Sequence, residues 1–243
     1  MRRHRSSMPD YGIDAPYTGI KIAAVTLVAI IVAVSLRVSG NATAISAANI
    51  LFSLIPTGII ILALAAMYVR VEKFRHRDRM LNMLQWKGNE TVLDVGTGLG
   101  LLMIGAAKRL TTGKSIGIDI WNAKDLSNNN YIAAMANAKL EEVKDRITIL
   151  NANAQDMPLA DGTFDYVLSN LCLHNIPTLE GRAKAIHEIV RVLKPGGIAL
   201  ISDFKHTKEY AAEFKRLGLE TRRKYSFLIA PLFLHVVRAG KVN

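Results

Sequence analysis

The run Thr91-Val92-Leu93-Asp94-Val95-Gly96-Thr97-Gly98-Leu99-Gly100 constrains the fold more than any other stretch of this chain. Thr91 to Val95 has the β-branched, apolar character of a buried strand, and three alternating glycines follow before a helix that starts near Leu101. Glycine adopts dihedrals that a Cβ forbids, and it lets a ligand approach the main chain closely. The turn also leaves N–H groups at a helix N-terminus, which suits an anionic or polar ligand tail. A dinucleotide fingerprint needs G-x-G-x-x-G. Here the spacing is G-x-G-x-G with an acid, Asp94, two residues before the first glycine, which argues against NAD.

Beyond this run, strand-like segments (91–95, 115–120, 147–150, 164–169 and 197–202) alternate with helical ones (101–110, 129–143, 182–192 and 208–217). Alternation at this spacing predicts βαβ units and a parallel sheet covered on both faces. The second strand ends in Gly117-Ile118-Asp119-Ile120, followed by Trp121. A carboxylate at that place can accept hydrogen bonds from both hydroxyls of a ribose. Further on come Asn153-Ala154-Gln155-Asp156-Met157-Pro158, then Phe164-Asp165-Tyr166-Val167-Leu168-Ser169-Asn170, then Leu193-Lys194-Pro195-Gly196-Gly197.

In this order and spacing the segments resemble the class I S-adenosylmethionine-dependent methyltransferases, from about Met80 to the C-terminus. The resemblance implies a doubly wound α/β fold with a mostly parallel seven-stranded sheet, closed by an antiparallel hairpin over 220–225 and 232–239. It implies S-adenosyl-L-methionine as cofactor. Contacts would come from Asp94, Gly96, Thr97, Gly98 and Gly100 in the loop, and from Asp119, Ile120 and Trp121 after the second strand. Ala154, Gln155 and Asp156 would face the adenine, with Asp156 bonding its amino group, and Asn170 would sit at the active-site rim. The domain is also similar to quinone-biosynthesis and sterol-type methyltransferases.

Half of the residues are hydrophobic and mean hydropathy is +0.20, which is high for a protein in water. Two apolar runs carry the excess. Residues 22–36 hold no charge, and 38–69 hold none either. About 20 apolar residues span a bilayer as a helix, so helices are predicted over 20–38 and 44–69, joined by a polar turn. Pro56 and Gly58 predict a kink in the second. Arg2, Arg3 and Arg5 precede the first run, and Arg70, Lys73, Arg75, Arg77 and Arg79 follow the second. The positive-inside rule then predicts an integral protein of the cytoplasmic membrane, with both ends and the catalytic domain in the cytoplasm. The competing reading is a buried helical hairpin capping a soluble domain. The chain divides into a basic N-terminus (1–19), a transmembrane hairpin (20–69), a juxtamembrane helix and linker (70–90) and the methyltransferase domain (91–243).

Formal net charge is +11, with ten Lys and Arg against four Asp and Glu in residues 1–79. Much of that excess is therefore juxtamembrane, and no recognition motif accompanies it, so nucleic acid is not an expected partner. Arg222-Arg223-Lys224 beside Phe227-Leu228-Ile229 reads either as a lipid-facing tip or as a solvated strand end. The single cysteine, Cys172, excludes an internal disulfide and a thiolate zinc site, and no metal is expected. It also argues against the arsenite-methylating relatives, which bind their substrate through several cysteines. His174 follows the fourth strand, where a doubly wound sheet places its substrate. It reads as a candidate base or as a packing residue of the rim. A small-molecule acceptor, lipid or quinone-like and dissolved in the bilayer, is the expected substrate. The alternative is a membrane scaffold that binds the cofactor without catalysis.

Overall fold

The computed structural model describes residues 8–13, 16–225 and 234–242. The basic residues at 2, 3 and 5 and the apolar tip at 227–229 lie outside them. Strand β1 (Thr91–Val95) sits inside a seven-stranded sheet with β2 (Lys114–Asp119), β3 (Ile147–Asn151), β4 (Phe164–Asn170), β5 (Leu193–Asp203), β6 (Glu220–Tyr225) and β7 (His235–Gly240). Their order is β3-β2-β1-β4-β5-β7-β6. The first five run parallel, while β7 runs antiparallel to both β5 and β6. Helices α4 (Leu101–Ala107), α5 (Tyr131–Leu140), α6 (Leu179–Val192) and α7 (Thr207–Arg216) complete the domain.

Side-chain alternation along the strands separates two cores, as the period of two requires. Leu93, Val95, Val167, Ala199, Ile201 and Val237 pack with α6 and α7, around Ile186, Ile189, Tyr210 and Phe214. Val92, Leu168, Leu200 and Val236 face the other way, onto α4. The Pro-Gly-Gly segment, expected to precede the fifth strand as a turn, lies inside β5. There the register jumps from Phe164↔Leu193 to Tyr166↔Ile198, so the segment bulges out of the ladder.

The two apolar runs form α1 (Pro16–Val38) and α2 (Ala42–Met67), and both are long and apolar enough to cross a membrane. The turn between them is short, and Asn41 caps α2 through its side-chain oxygen, which accepts from Thr43 N at 2.8 Å. The helices touch through small residues. A Cβ on Gly58 would meet Thr26 Oγ1 at 2.5 Å. Almost none of either helix is buried: Val25 is 70% exposed and Ile50 65%. That is not how a hairpin covered by a soluble core would pack.

α2 runs through a π-helical turn (Tyr68–Glu72) into α3 (Lys73–Leu81), a helix within the juxtamembrane segment read from the sequence. Met80 and Leu81 of α3 are fully buried against Val92, Leu168 and Leu200. Lys73 and His76 of the same helix are buried too. Residues 73–81 are therefore part of the domain's packed layer.

Candidate functional site

A cavity of about 240 Å³ opens at the carboxyl ends of β1, β2 and β4, the edge at which open α/β sheets hold their ligands. The glycine turn forms its floor. Gly96 N and Thr97 N both donate to Ile118 O, at 2.9 and 3.0 Å, and so pin the turn to β2. Gly96 (φ +72°) and Gly98 (φ +54°) lie in the left-handed region, and a Cβ on Gly96 would meet Cys172 Sγ at 2.2 Å. Only glycine meets both demands.

Asp94 is fully buried beneath the turn. Its Oδ2 accepts from Thr97 Oγ1 and Met103 N, both at 2.9 Å, and so ties the loop to the start of α4. Burial raises its pKa to about 7, against the opposing pull of those two donors. Asp119 lies alongside. Its Oδ2 accepts from Gly98 N at 2.7 Å, and its Oδ1 from Trp121 N at 2.7 Å. Each carboxylate oxygen can take a further donor. Two more acceptors on lining residues, Asn129 Oδ1 and Asn170 Oδ1, are buried with no hydrogen-bond partner.

Of the residues expected from sequence, Asp94, Gly96, Thr97, Gly98, Asp119, Ile120, Ala154, Gln155 and Asn170 line this one cavity. Four others do not. Gly100 N-caps α4 at φ +87°. The Trp121 ring turns away onto Tyr131, edge to face at 6.4 Å, because Trp121 itself holds a left-handed backbone at φ +61°. Asp156 is exposed, since the turn that bonds Asp156 N to Asn153 O carries its side chain outward. Asn153, Ala154 and Gln155 occupy the wall in its place.

His174 stands beside the cavity rather than on its wall. Its Nδ1 lies 2.9 Å from Asp203 Oδ1, and its backbone N donates to Asp203 Oδ2 at 3.1 Å. Asp203 is itself fully buried at the end of β5. The His174 ring also contacts Phe204, with centroids 4.6 Å apart. Asp125, which lines the cavity, has its pKa raised by burial, partly offset by the Asn122 amide and the nearby His174. Leu171, just past β4, is held at φ +53°, an uncommon conformation for a branched residue and one that clusters at functional sites.

Sequence reasoning missed Tyr11, Lys73, Asn122, Asp125, Leu126 and Asn129, all on the wall. A polar cluster after β2 was visible in Asn122, Asp125 and Asn129. Nothing local marked Tyr11, Lys73 or Leu126. Among the described residues no cluster of metal-binding side chains occurs.

Residues 93–201 match the methyltransferase domain family. Over that stretch the chain is similar in sequence to methyltransferase domains. Over 123 residues it is 33% identical to the demethylmenaquinone methyltransferase of Symbiobacterium thermophilum, covering 50% of this chain and 45% of that protein. Over 132 residues it is 33% identical to a sterol 4-C-methyltransferase of Caenorhabditis elegans, covering 54% and 36%. The chain thus spans less than half the length of these relatives. In fold the methyltransferase domain superposes on a SAM-dependent methyltransferase from Aquifex aeolicus (TM-score 0.53, 21% identity, 68% of this chain and 89% of that one). It also superposes on geranyl diphosphate C-methyltransferase from Streptomyces coelicolor (TM-score 0.57, 15% identity, 74% and 82%). The cavity fits the cofactor of this family: unpartnered acceptors and carboxylates surround a turn of bare main chain, matching a ligand with ammonium and ribose donors.

Proposed function

We propose that this protein transfers a methyl group from S-adenosylmethionine to a small apolar acceptor dissolved in, or resting on, a membrane. The observation that carries the reading is the joining of two features by one unbroken helix. An uncovered apolar hairpin continues, through residues 42–81, into the wall of the cofactor cavity. Relatives that act on a quinone precursor and a sterol favour the same substrate class.

When bound, the cofactor supplies an electrophilic methyl group on a sulfonium. The chain's own contribution is to hold the reacting partners in line at near-attack distance. Asp119 would accept from the ribose hydroxyls, Asn170 and Asn129 would accept from the ammonium, and the glycine turn would lie under the methionine portion. If the acceptor carries a proton, His174 would take it. Its ring is held against Phe204, with Nδ1 2.9 Å from Asp203 Oδ1. The acceptor's proton, released as the acceptor takes up the methyl group, would pass to His174.

The bond between residues 11 and 73 (Lys73 Nζ to Tyr11 O, 2.9 Å) supports placing both ends of the hairpin on the domain's side of the membrane. The test is methyl transfer from labelled cofactor into membrane lipid extracts by the full-length protein in lipid nanodiscs. Label in an extractable lipid or quinone fraction is the expected result. Cofactor binding with no transfer to any fraction would favour the non-catalytic scaffold.

A further inference from the structure

Residues 10–13 precede the first apolar helix and carry no motif, yet they lie across the methyltransferase domain. Asp10 N donates to Asn137 Oδ1 at 2.9 Å, and Asn137 Nδ2 returns a bond to Asp10 O at 2.7 Å while also reaching Leu99 O at 3.0 Å. Ile13 N donates to Ser127 Oγ at 2.8 Å, and Ser127 N donates back to Ile13 O at 3.1 Å. Tyr11 is buried, with its hydroxyl on Glu141 Oε1 at 2.9 Å and its ring edge-on to Phe74. Gly12, at φ +67°, sits so close that a Cβ would lie 2.8 Å from Ser127 O and 3.0 Å from Leu126 and Leu99. Leu99 and Leu126 are cavity walls, and so is Tyr11.

One side chain holds this segment from the far end of the hairpin. Lys73, only 3% exposed, donates through Nζ to Tyr11 O at 2.9 Å and to Gly12 O at 2.5 Å. A buried ammonium persists only where polar groups replace its water. The strap's carbonyls do so here, and they are served in return.

We propose that the strap Asp10–Ile13 is a working wall of the cofactor cavity, and that Lys73 is the positioning residue that latches it over the glycine turn. The strap closes the side of the cavity between the turn and residues 126–129, so the cofactor is retained only while the latch is made. Because the strap enters α1 and Lys73 follows α2, the latch clamps the two ends of the apolar hairpin together. Disturbing the hairpin's base is then felt as a change in cofactor affinity. The inference rests on the cofactor reading of the preceding subsection.

The test uses full-length protein in nanodiscs and S-adenosylhomocysteine as the calorimetric probe. Lys73→Met and Gly12→Val should each weaken binding by about 10-fold. Since both act through one element, the double variant should be within about 2-fold of the weaker single rather than about 100-fold worse than wild type. Amide exchange at Asp10, Gly12 and Ile13 should rise in Lys73→Met, with exchange in β1 and β4 unchanged. A Lys73→Arg variant, which keeps the donors, should recover part of the affinity. If Lys73→Met does not fold, Gly12→Val, confined to the strap, carries the test. Wild-type affinity in a folded Gly12→Val protein, or independent losses in the double variant, overturns the proposal. A wild-type protein that binds no S-adenosylhomocysteine overturns the cofactor reading instead.

Discussion

The hairpin and the sheet domain are built from the same apolar residue types and handle them in opposite ways. In the domain large side chains point inward: Leu93, Ile104, Phe164, Leu168 and Phe214 are all fully buried. In α1 and α2 the buried residues are small, Ala33 and Ala48, while Val25, Leu27, Ile50 and Leu54 stand out. Their hydroxyls differ too. Thr26, Ser35, Ser46 and Ser53 each donate to a carbonyl of their own helix, three or four residues back. Ser169 reaches across the sheet to Val95 O, and His76 and Ser202 meet at 2.7 Å across 126 residues of sequence. Those four hydroxyls are satisfied within their own helices, while Arg37 Nη1 reaches Asn49 Oδ1 across the hairpin at 3.0 Å. The domain uses its polar groups to bind distant parts together. The same residue types thus point inward in the domain and outward in the hairpin, so residue type alone does not fix burial.

The largest expected effects lie in the domain. If His174 is the proton acceptor, His174→Asn should lower methyl transfer to a protonated acceptor by about 10²–10⁴-fold, with S-adenosylhomocysteine affinity unchanged by calorimetry. A loss confined to affinity would move His174 from chemistry to packing. Next, Gly98→Val places a branched side chain at φ +54° with its Cβ 2.8 Å from Leu126. Binding should fall by roughly 100-fold or more, equivalent to about 2.7 kcal/mol, with the circular dichroism spectrum retained. Unaltered affinity would remove the glycine turn from the site.

The hairpin half of the comparison is tested by Val28→Lys, a change at a residue that is 58% exposed. In water an exposed substitution of this kind costs within about 0.5 kcal/mol. At the centre of a membrane helix it costs roughly 2.5–3.5 kcal/mol. Reduced membrane insertion, scored by alkaline carbonate extraction, is the expected outcome. Full solubility of the wild type under the same wash would reverse the comparison.

The smallest effect is a pH dependence. Asp94 has its folded pKa raised from 3.8 to about 7 by burial. A raised acid contributes stability that is fully present below its unfolded pKa and lost as pH climbs through the folded value. Asp94→Asn keeps an acceptor for Thr97 and Met103 but cannot ionise. It should therefore melt higher than wild type at pH 8, by something on the order of 2 kcal/mol, and lose that advantage near pH 4. Parallel melting curves would mean that Asp94 stays neutral, or stays equally well solvated, throughout.

The parallel sheet was legible because β1, β2 and β4 are short apolar runs bounded by Gly, Asp and Asn, and such runs announce themselves locally. The glycine turn, Asp119 and Asn170 were legible for the same reason, since their positions follow from the strand ends. Trp121 lies off the cavity wall with its ring on Tyr131 and its backbone left-handed, which no neighbouring residue encodes. Asp156 lies off it through a turn set by Asn153. The strap was invisible because its bonds span 127 residues from Asp10 to Asn137 and 62 from Lys73 to Tyr11. Pairings of that separation leave no period in the sequence.

The π-helical turn at Tyr68–Glu72 gives the long helix the properties of a screw thread. Each residue added to or removed from an α-helix rotates everything beyond it by about 100° and shifts it by about 1.5 Å. A π turn accommodates one extra residue within the rod. Deleting a single residue there would therefore restore regular α-helix and leave α3 close to its present orientation. Adding or removing a residue in the α-helical stretch just before it would instead swing α3, and the sheet packed on it, about a quarter turn around the axis of α2. Lys73 would then face away from Tyr11. A change of length should thus be tolerated at the π turn far better than a few residues upstream of it.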